Sequence, residues 1–211
     1  MRLRFVRPLT ALAVIGLCAF AMLRGWSIVD FSIARATADG PGRRADALRP
    51  WSAAPGLAGE ALQASLMTAV NPADIEATRK RAETLGAVLA VHPLSSGNWL
   101  SLAGARFVSG QGPDKVLAAL AMSSLTGANE GPMMLRRGVF GLVQWEALPA
   151  DVRRRVIADL AGSLLATTLH DIEIAPARSV LSAKTADTRR EVGDLLRAQG
   201  VSAGDLARMG L

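Results

Sequence analysis

The chain is 211 residues long, half of them hydrophobic and 20% charged, which supplies a core of ordinary domain size and excludes a disordered polypeptide. Its aromatic residues, five Phe and four Trp with no Tyr, set against many Ala, Leu, Val and Arg, favour helices and exclude an all-β fold. Residues 1–50 carry eight Arg against three Asp, so most of the +6 net charge sits there, and the nearly neutral remainder lacks the basic footprint of a nucleic-acid binder.

From Pro8 to Leu23 no residue is charged, with Arg2, Arg4 and Arg7 before the run and Arg24 directly after it. The step from Arg7 to Arg24 covers about 25 Å as a helix, and snorkelling arginines with Trp26 at the interface extend it toward a hydrocarbon core of about 30 Å. The sequence therefore predicts a transmembrane helix over about 8–26 within an anchor spanning 1–33. A cleaved signal peptide with Ala19-Phe20-Ala21 as its small-x-small site is the competing reading. The apolar continuation through Ile28, Val29, Phe31 and Ile33 favours the retained anchor. The N-terminal arginine cluster places the N-terminus in the cytoplasm and the body across the membrane. The single cysteine, Cys18, falls inside this run and cannot pair within the chain.

Residues 34–56 are rich in Ala, Gly, Pro and Arg without apolar periodicity, the composition of a linker, and the folded domain is expected to begin near Gly56. Beyond it, Asn71-Pro72-Ala73-Asp74, Gly112-Pro113-Asp114 and Leu148-Pro149-Ala150-Asp151 each put a proline at a first helical position with an acid in the first turn. Their prolines lie 41 and 36 residues apart, room for one helix-turn-helix unit in each interval. Apolar stripes predict six core helices, at about 57–70, 72–91, 97–109, 113–126, 131–147 and 149–168. The last of these carries Val152, Val156, Leu160 and Leu164. Paired in order, they give three antiparallel hairpins.

Around His92-Pro93 the segment resembles the tetratricopeptide repeat, in which a Pro closes one repeat, a large residue opens the next six positions on, and a Leu and a small residue follow on the same face. Pro93, Trp99, Leu102 and Ala103 meet those spacings. Where the family has an aromatic in the first helix, this chain has Arg106 with Phe107 one step on. The resemblance implies a short solenoid over 57–168, with Trp99 wedged between stacked hairpins and a concave face built by the first helices, 57–70, 97–109 and 131–147. The phrasing Gly131-Pro132-Met133-Met134-Leu135-Arg136-Arg137-Gly138, with Trp145 to Pro149 and Arg153-Arg154-Arg155 after it, is similar to small membrane-anchored repeat proteins found with bacterial polysaccharide-export genes. That likeness implies a single-pass bacterial inner-membrane protein with a periplasmic body.

After Thr168 the pattern breaks, and Leu169 to Arg178 is expected to be a short extended link. Residues 185–199 follow as an amphipathic helix with Val192, Leu195 and Leu196 inward, stopped by Gly200. A last helix begins at Ser202-Ala203-Gly204-Asp205. Together, residues 169–211 form a helical cap over the array.

The chemical inventory is thin. His170-Asp171-x-Glu173 is the one cluster with metal or acid/base character, and further ligands at suitable spacing are missing from the sequence. No phosphate-binding Gly-rich loop, nucleophile elbow or Cys-x-x-Cys occurs, so no catalytic residue, cofactor or metal is assigned. The basic clusters Arg79-Lys80-Arg81, Arg136-Arg137 and Arg153-Arg154-Arg155 are either solvated helix faces or the lining of a groove for an acidic partner. Arg136 and Arg137, with Arg106 and Trp99, are the candidate partner-binding residues. The expected protein is an all-α, non-catalytic envelope adaptor that binds other envelope proteins and no nucleic acid. Its alternatives are a small exported enzyme acting on envelope glycan and a membrane-bound transcription regulator.

Overall fold

The computed structural model describes residues 6–166 and 169–211, and among them every regular element is helical. Arg2 and Arg4 of the expected positive flank, and Thr168 at the expected end of the sixth core helix, lie outside the described residues. The chain divides into two compact units, residues 1–71 and 72–211.

The first unit opens with α1, Val6–Thr37, whose stretch from Leu12 to Thr37 is long and apolar enough to cross a membrane. Its side chains from Leu12 through Leu23 are exposed. The expected linker is not a loose tether. Gly40-Pro41 starts α2, Pro41–Leu48, by the same proline-first logic that marks the later helices, and a 3-10 turn, Arg49–Trp51, leads toward α3, Ala58–Leu66. These pieces fold back on the C-terminal half of α1. Phe31 is buried with Leu48, Ala61 and Ala64, and its ring meets Trp51 edge to face at 5.6 Å. Arg35 Nη1 pairs with Glu60 Oε2 at 2.5 Å, and Arg24 Nη2 donates to the Pro55 carbonyl at 2.7 Å. Gly56 sits at φ +77, in the region glycine enters without cost, and a Cβ there would come to 3.6 Å from the same Arg24 guanidinium.

The second unit contains α4 (Ile75–Val91), α5 (Ser96–Val108), α6 (Pro113–Thr126), α7 (Gly131–Val143), α8 (Ala150–Ala166), α9 (Asp171–Ser182), α10 (Ala186–Ala198) and α11 (Ala203–Met209). Short loops fold α6 back on α5 and α8 back on α7, giving two of the expected hairpins. The expected first hairpin is replaced: α3 packs with α2 in the first unit, and α4 packs with α5 in the second. Pro72 does not open α4 either. Asp74 is the N-cap, its carboxylate accepting from Ala77 N–H at 2.9 Å, so the acid takes the capping position and the helix begins three residues past the proline.

The expected extended link at 169–178 is a helix. Glu173 accepts from the His170 N–H at 2.8 Å, capping α9, and Ile174, Ala177 and Leu181 form its buried stripe. Pro176 sits inside this helix, and burial of the stripe outweighs the rung it removes. The C-terminal segment matches expectation. Val192 and Leu196 of α10 are fully buried, Gly200 turns at φ 86, and Ser202 caps α11 by accepting from Asp205 N–H at 3.1 Å. Helix α9 packs on α7, α10 on α8, and α11 on α9, over a core that includes Leu142, Leu160, Ile174, Leu181 and Met209.

The α7–α8 hairpin is close because glycines face branched side chains. A Cβ at Gly138 would lie 2.5 Å from Leu160 Cγ, and one at Gly141 would lie 2.8 Å from Val156 Cγ1 and 3.1 Å from its Cβ. Val156 is β-branched and buried, so it has no rotamer by which to retreat. Gly141→Ala gains about 1 kcal/mol of helix propensity but overpacks the seam by about 1–3 kcal/mol, and a net loss of stability is expected in thermal unfolding. Adding Val156→Ala should then cost less than it does in the parent chain, the coupling a double-mutant cycle reads directly.

Candidate functional site

Helix α7 contacts α5 on one side of the sequence and α9 on the other. Of the three helices expected to build a concave face, those at 97–109 and 131–147 correspond to α5 and α7, which touch, while 57–70 falls in the first unit. Between α7 and α9 lies an open groove of about 330 Å³ lined by Pro132, Leu135, Arg136 and Val139 on one side and Ile172, Glu173 and Pro176 on the other. Its character is apolar with one cation and one carboxylate. Ile172 is 82% exposed, a large aliphatic side chain left in water at the rim. Farther along α7, Phe107 of α5 meets Phe140 edge to face at 6.2 Å, with Phe107 and Val143 both exposed.

A second apolar groove of similar size lies at the loop ends of the two hairpins. Phe107, Val116, Leu117, Leu148 and Pro149 line it together with Gln144, whose side-chain Nε2 is buried without an acceptor.

The four candidate partner-binding residues separate in the structure. Arg136 is exposed on the α7–α9 groove. Arg137, next in sequence, is 1% exposed and points the other way. Its Nε and Nη2 grip Asp159 at 2.9 and 2.8 Å as a two-pronged pair, while Nη1 donates to the carbonyls of Ser123 and Gly127 at 3.2 and 3.1 Å. Those carbonyls lie at the C-terminal end of α6, where each also accepts one backbone N–H, from Gly127 and Glu130, and where a cation is favoured. Arg137 thus ties α6, α7 and α8 together and is unavailable to a partner. The same junction holds Ser96, whose hydroxyl donates to Glu130 Oε2 at 2.9 Å and whose carbonyl accepts from the Ser123 hydroxyl at 2.9 Å. A Cβ on Gly127 would strike Ser96 Cβ at 2.6 Å.

Arg106 Nη1 donates to the Lys115 carbonyl at 2.9 Å, bracing α5 against the first turn of α6. Trp99 is only partly buried, its Nε1 donating to the Pro93 carbonyl at 2.7 Å, so it latches the turn before α5 and is not the fully enclosed wedge expected. The enclosed tryptophan is Trp145, 1% exposed, in a 3-10 turn (Trp145–Ala147) directly after α7. Its Nε1 donates to Glu191 Oε2 at 3.1 Å, and the Arg153 guanidinium stacks over the ring at 5.4 Å. Arg153 also donates to the Leu148 carbonyl at 3.1 Å, so one member of the 153–155 cluster serves the fold. Beside it, Lys184 hydrogen-bonds Glu146 at 2.6 Å and, with the residue's own backbone, holds that carboxyl below the usual range.

The His170–Asp171–Glu173 cluster disperses into structural contacts. Glu173 caps α9, and Asp171 pairs with Arg208 Nε at 3.0 Å, fixing α11 to the start of α9. His92 ends α4, its N–H donating to the Val88 carbonyl at 2.8 Å. Among the described residues no group of three or more His, Cys, Asp or Glu side chains is placed to hold a metal ion. Compared with protein-family models, with curated proteins and with solved structures, the chain matches none.

Proposed function

We propose that the chain is a non-catalytic adaptor of the bacterial envelope, tethered by α1 in the inner membrane with its body in the periplasm, and that the face formed by α5, α7 and α9 docks another envelope protein. The observation that carries this reading is the open α7–α9 groove, where Ile172 stays exposed beside Arg136 and Glu173. An apolar trough with one charge of each sign suits a peptide or helix that buries a few aliphatic side chains and aligns by its charges. The packing of the α5–α6 hairpin, through both its helices, on α7 of the next hairpin supports a tetratricopeptide-like arrangement. A place in polysaccharide export or assembly belongs to the same proposal and rests on the resemblance of the 131–155 segment alone.

The test is photocrosslinking in intact cells with a photoreactive residue at Val139 or Ile172, and at exposed Arg154 as a control. A discrete product from the groove positions, absent at Arg154 and weakened by Arg136→Glu, is the expected result. Equal labelling at all three positions would remove the docking reading. A reporter fused after Leu211 that works only in the cytoplasm, and proves active, would overturn the periplasmic placement.

A further inference from the structure

The acids around the α7–α9 groove are matched from within the chain. Glu130, directly before α7, accepts from the Ser96 hydroxyl at 2.9 Å, Glu173 accepts from the His170 N–H at 2.8 Å, and Asp171 accepts from Arg208 Nε at 3.0 Å. Glu130 and Glu173 also stand at helix N-termini, where the aligned peptide dipoles offset a negative charge. Arg136 has no such match. It lines the wall opposite Glu173, and among the described residues it makes no hydrogen bond or ion pair, with Glu173 or with any other group.

The surroundings give that unmatched cation its meaning. Val139 lies one helical turn from Arg136 on α7, and Ile172 and Pro176 stand across from it on α9, so the guanidinium is set among aliphatic groups. A guest seated on Val139 and on Ile172, itself 82% exposed, lies across the Arg136 side chain. Taking water from an unpaired guanidinium opposes such binding, and a carboxylate brought by the guest removes the penalty through two parallel N–H···O bonds. A guest cation would instead meet repulsion at Arg136. The carboxylate it could seek, Glu173, already has one oxygen on the His170 N–H.

We infer that the docking partner is an aliphatic protein segment bearing Asp or Glu, whose carboxylate pairs with Arg136 while a neighbouring aliphatic side chain rests on Val139 and Ile172. This rests on the docking reading above and adds to it the sign of the partner's charge. Because Val139 and Arg136 are a single turn apart, the acid stands close in sequence to the aliphatic anchor.

The experiment is photocrosslinking in intact cells with the full chain, the photoreactive residue at Val139 and chain levels matched by immunoblot. Arg136→Glu should lower the protein product several-fold and Arg136→Gln by less, whereas Arg136→Lys should retain most of it, since an ammonium still meets a carboxylate. Glu173→Gln keeps an acceptor for the His170 N–H and should leave the product at the parent level or above it. The linked partner peptide, sequenced by mass spectrometry, should carry Asp or Glu within four residues of the linked position. Loss with Glu173→Gln but not with Arg136→Glu would reveal a cationic guest, and an unchanged product in every variant would reveal a guest held by apolar contact alone. Either result overturns the acidic partner and leaves the groove a docking site. Label recovered on lipid in place of protein, or labelling at Val139 no stronger than at Arg154, would remove the docking reading and this inference with it.

Discussion

Replacing Arg137 by methionine should lower the stability of the full chain by about 3–5 kcal/mol, read by thermal or urea unfolding in detergent. The arginine supplies four donor contacts inside the protein, two to Asp159 and two to the end of α6, and methionine leaves a carboxylate that is only 15% exposed with no counter-charge. Arg137→Lys should recover only part of the loss, because an ammonium cannot reproduce the planar fork that reaches Asp159 and the Ser123 and Gly127 carbonyls together. Combining Arg137→Met with Asp159→Leu should bring stability back toward the parent value, since removing both charges costs less than orphaning one. Arg136→Met is the companion measurement and should stay within about 0.5 kcal/mol. A small effect at 137, or a large one at 136, would reverse the roles assigned to these neighbours.

Trp145→Ala should cost about 3–5 kcal/mol, the range for emptying a fully buried aromatic site. The ring fills the gap between α7, α8 and α10, and the loss includes its hydrogen bond to Glu191 and the cation stacked upon it. Trp145→Phe isolates the polar share and should cost about 1 kcal/mol beyond the change in ring size. Trp99→Ala, at a half-buried latch, should fall well below Trp145→Ala. Circular dichroism suits both variants, because the tryptophan signal itself is altered. If Trp99 proved the costlier of the two, the packing at both sites would need to be redrawn.

These two residues also show where the sequence is readable. The helix over 113–126 has the same bounds in expectation and structure, because Gly112-Pro113-Asp114 and the apolar stripe are local signals that need no tertiary partner. Gly200 and Ser202 act in the same way. Arg136 and Arg137 are chemically identical neighbours, and only the 100° between them on a helix decides which one meets Asp159, 22 residues beyond Arg137. A helical wheel of 131–143 carries that signal, since it sets Arg137 beside Gly141 and Met134 and Arg136 opposite Gly138. The two tryptophans differ by what later helices bring to them, Glu191 of α10 above all, and no local pattern around Trp145 announces that contact. Helix α9 was hidden for another reason. Pro176 reads as a break and His170-Asp171-x-Glu173 reads as a ligand cluster, whereas Glu173 caps the helix that holds the proline and Asp171 pairs with Arg208.

That proline has a mechanical effect on the groove. A proline ring carries no N–H, so the carbonyl of Ile172, four residues earlier, cannot receive its usual helical bond, and both residues lie on the wall that faces α7. Helix α9 is therefore built with one hydrogen-bond rung left out on the groove side. The opposite wall, on α7, is pinned through Arg137 and the glycine seam, so the two sides of the groove differ in how firmly the fold holds them.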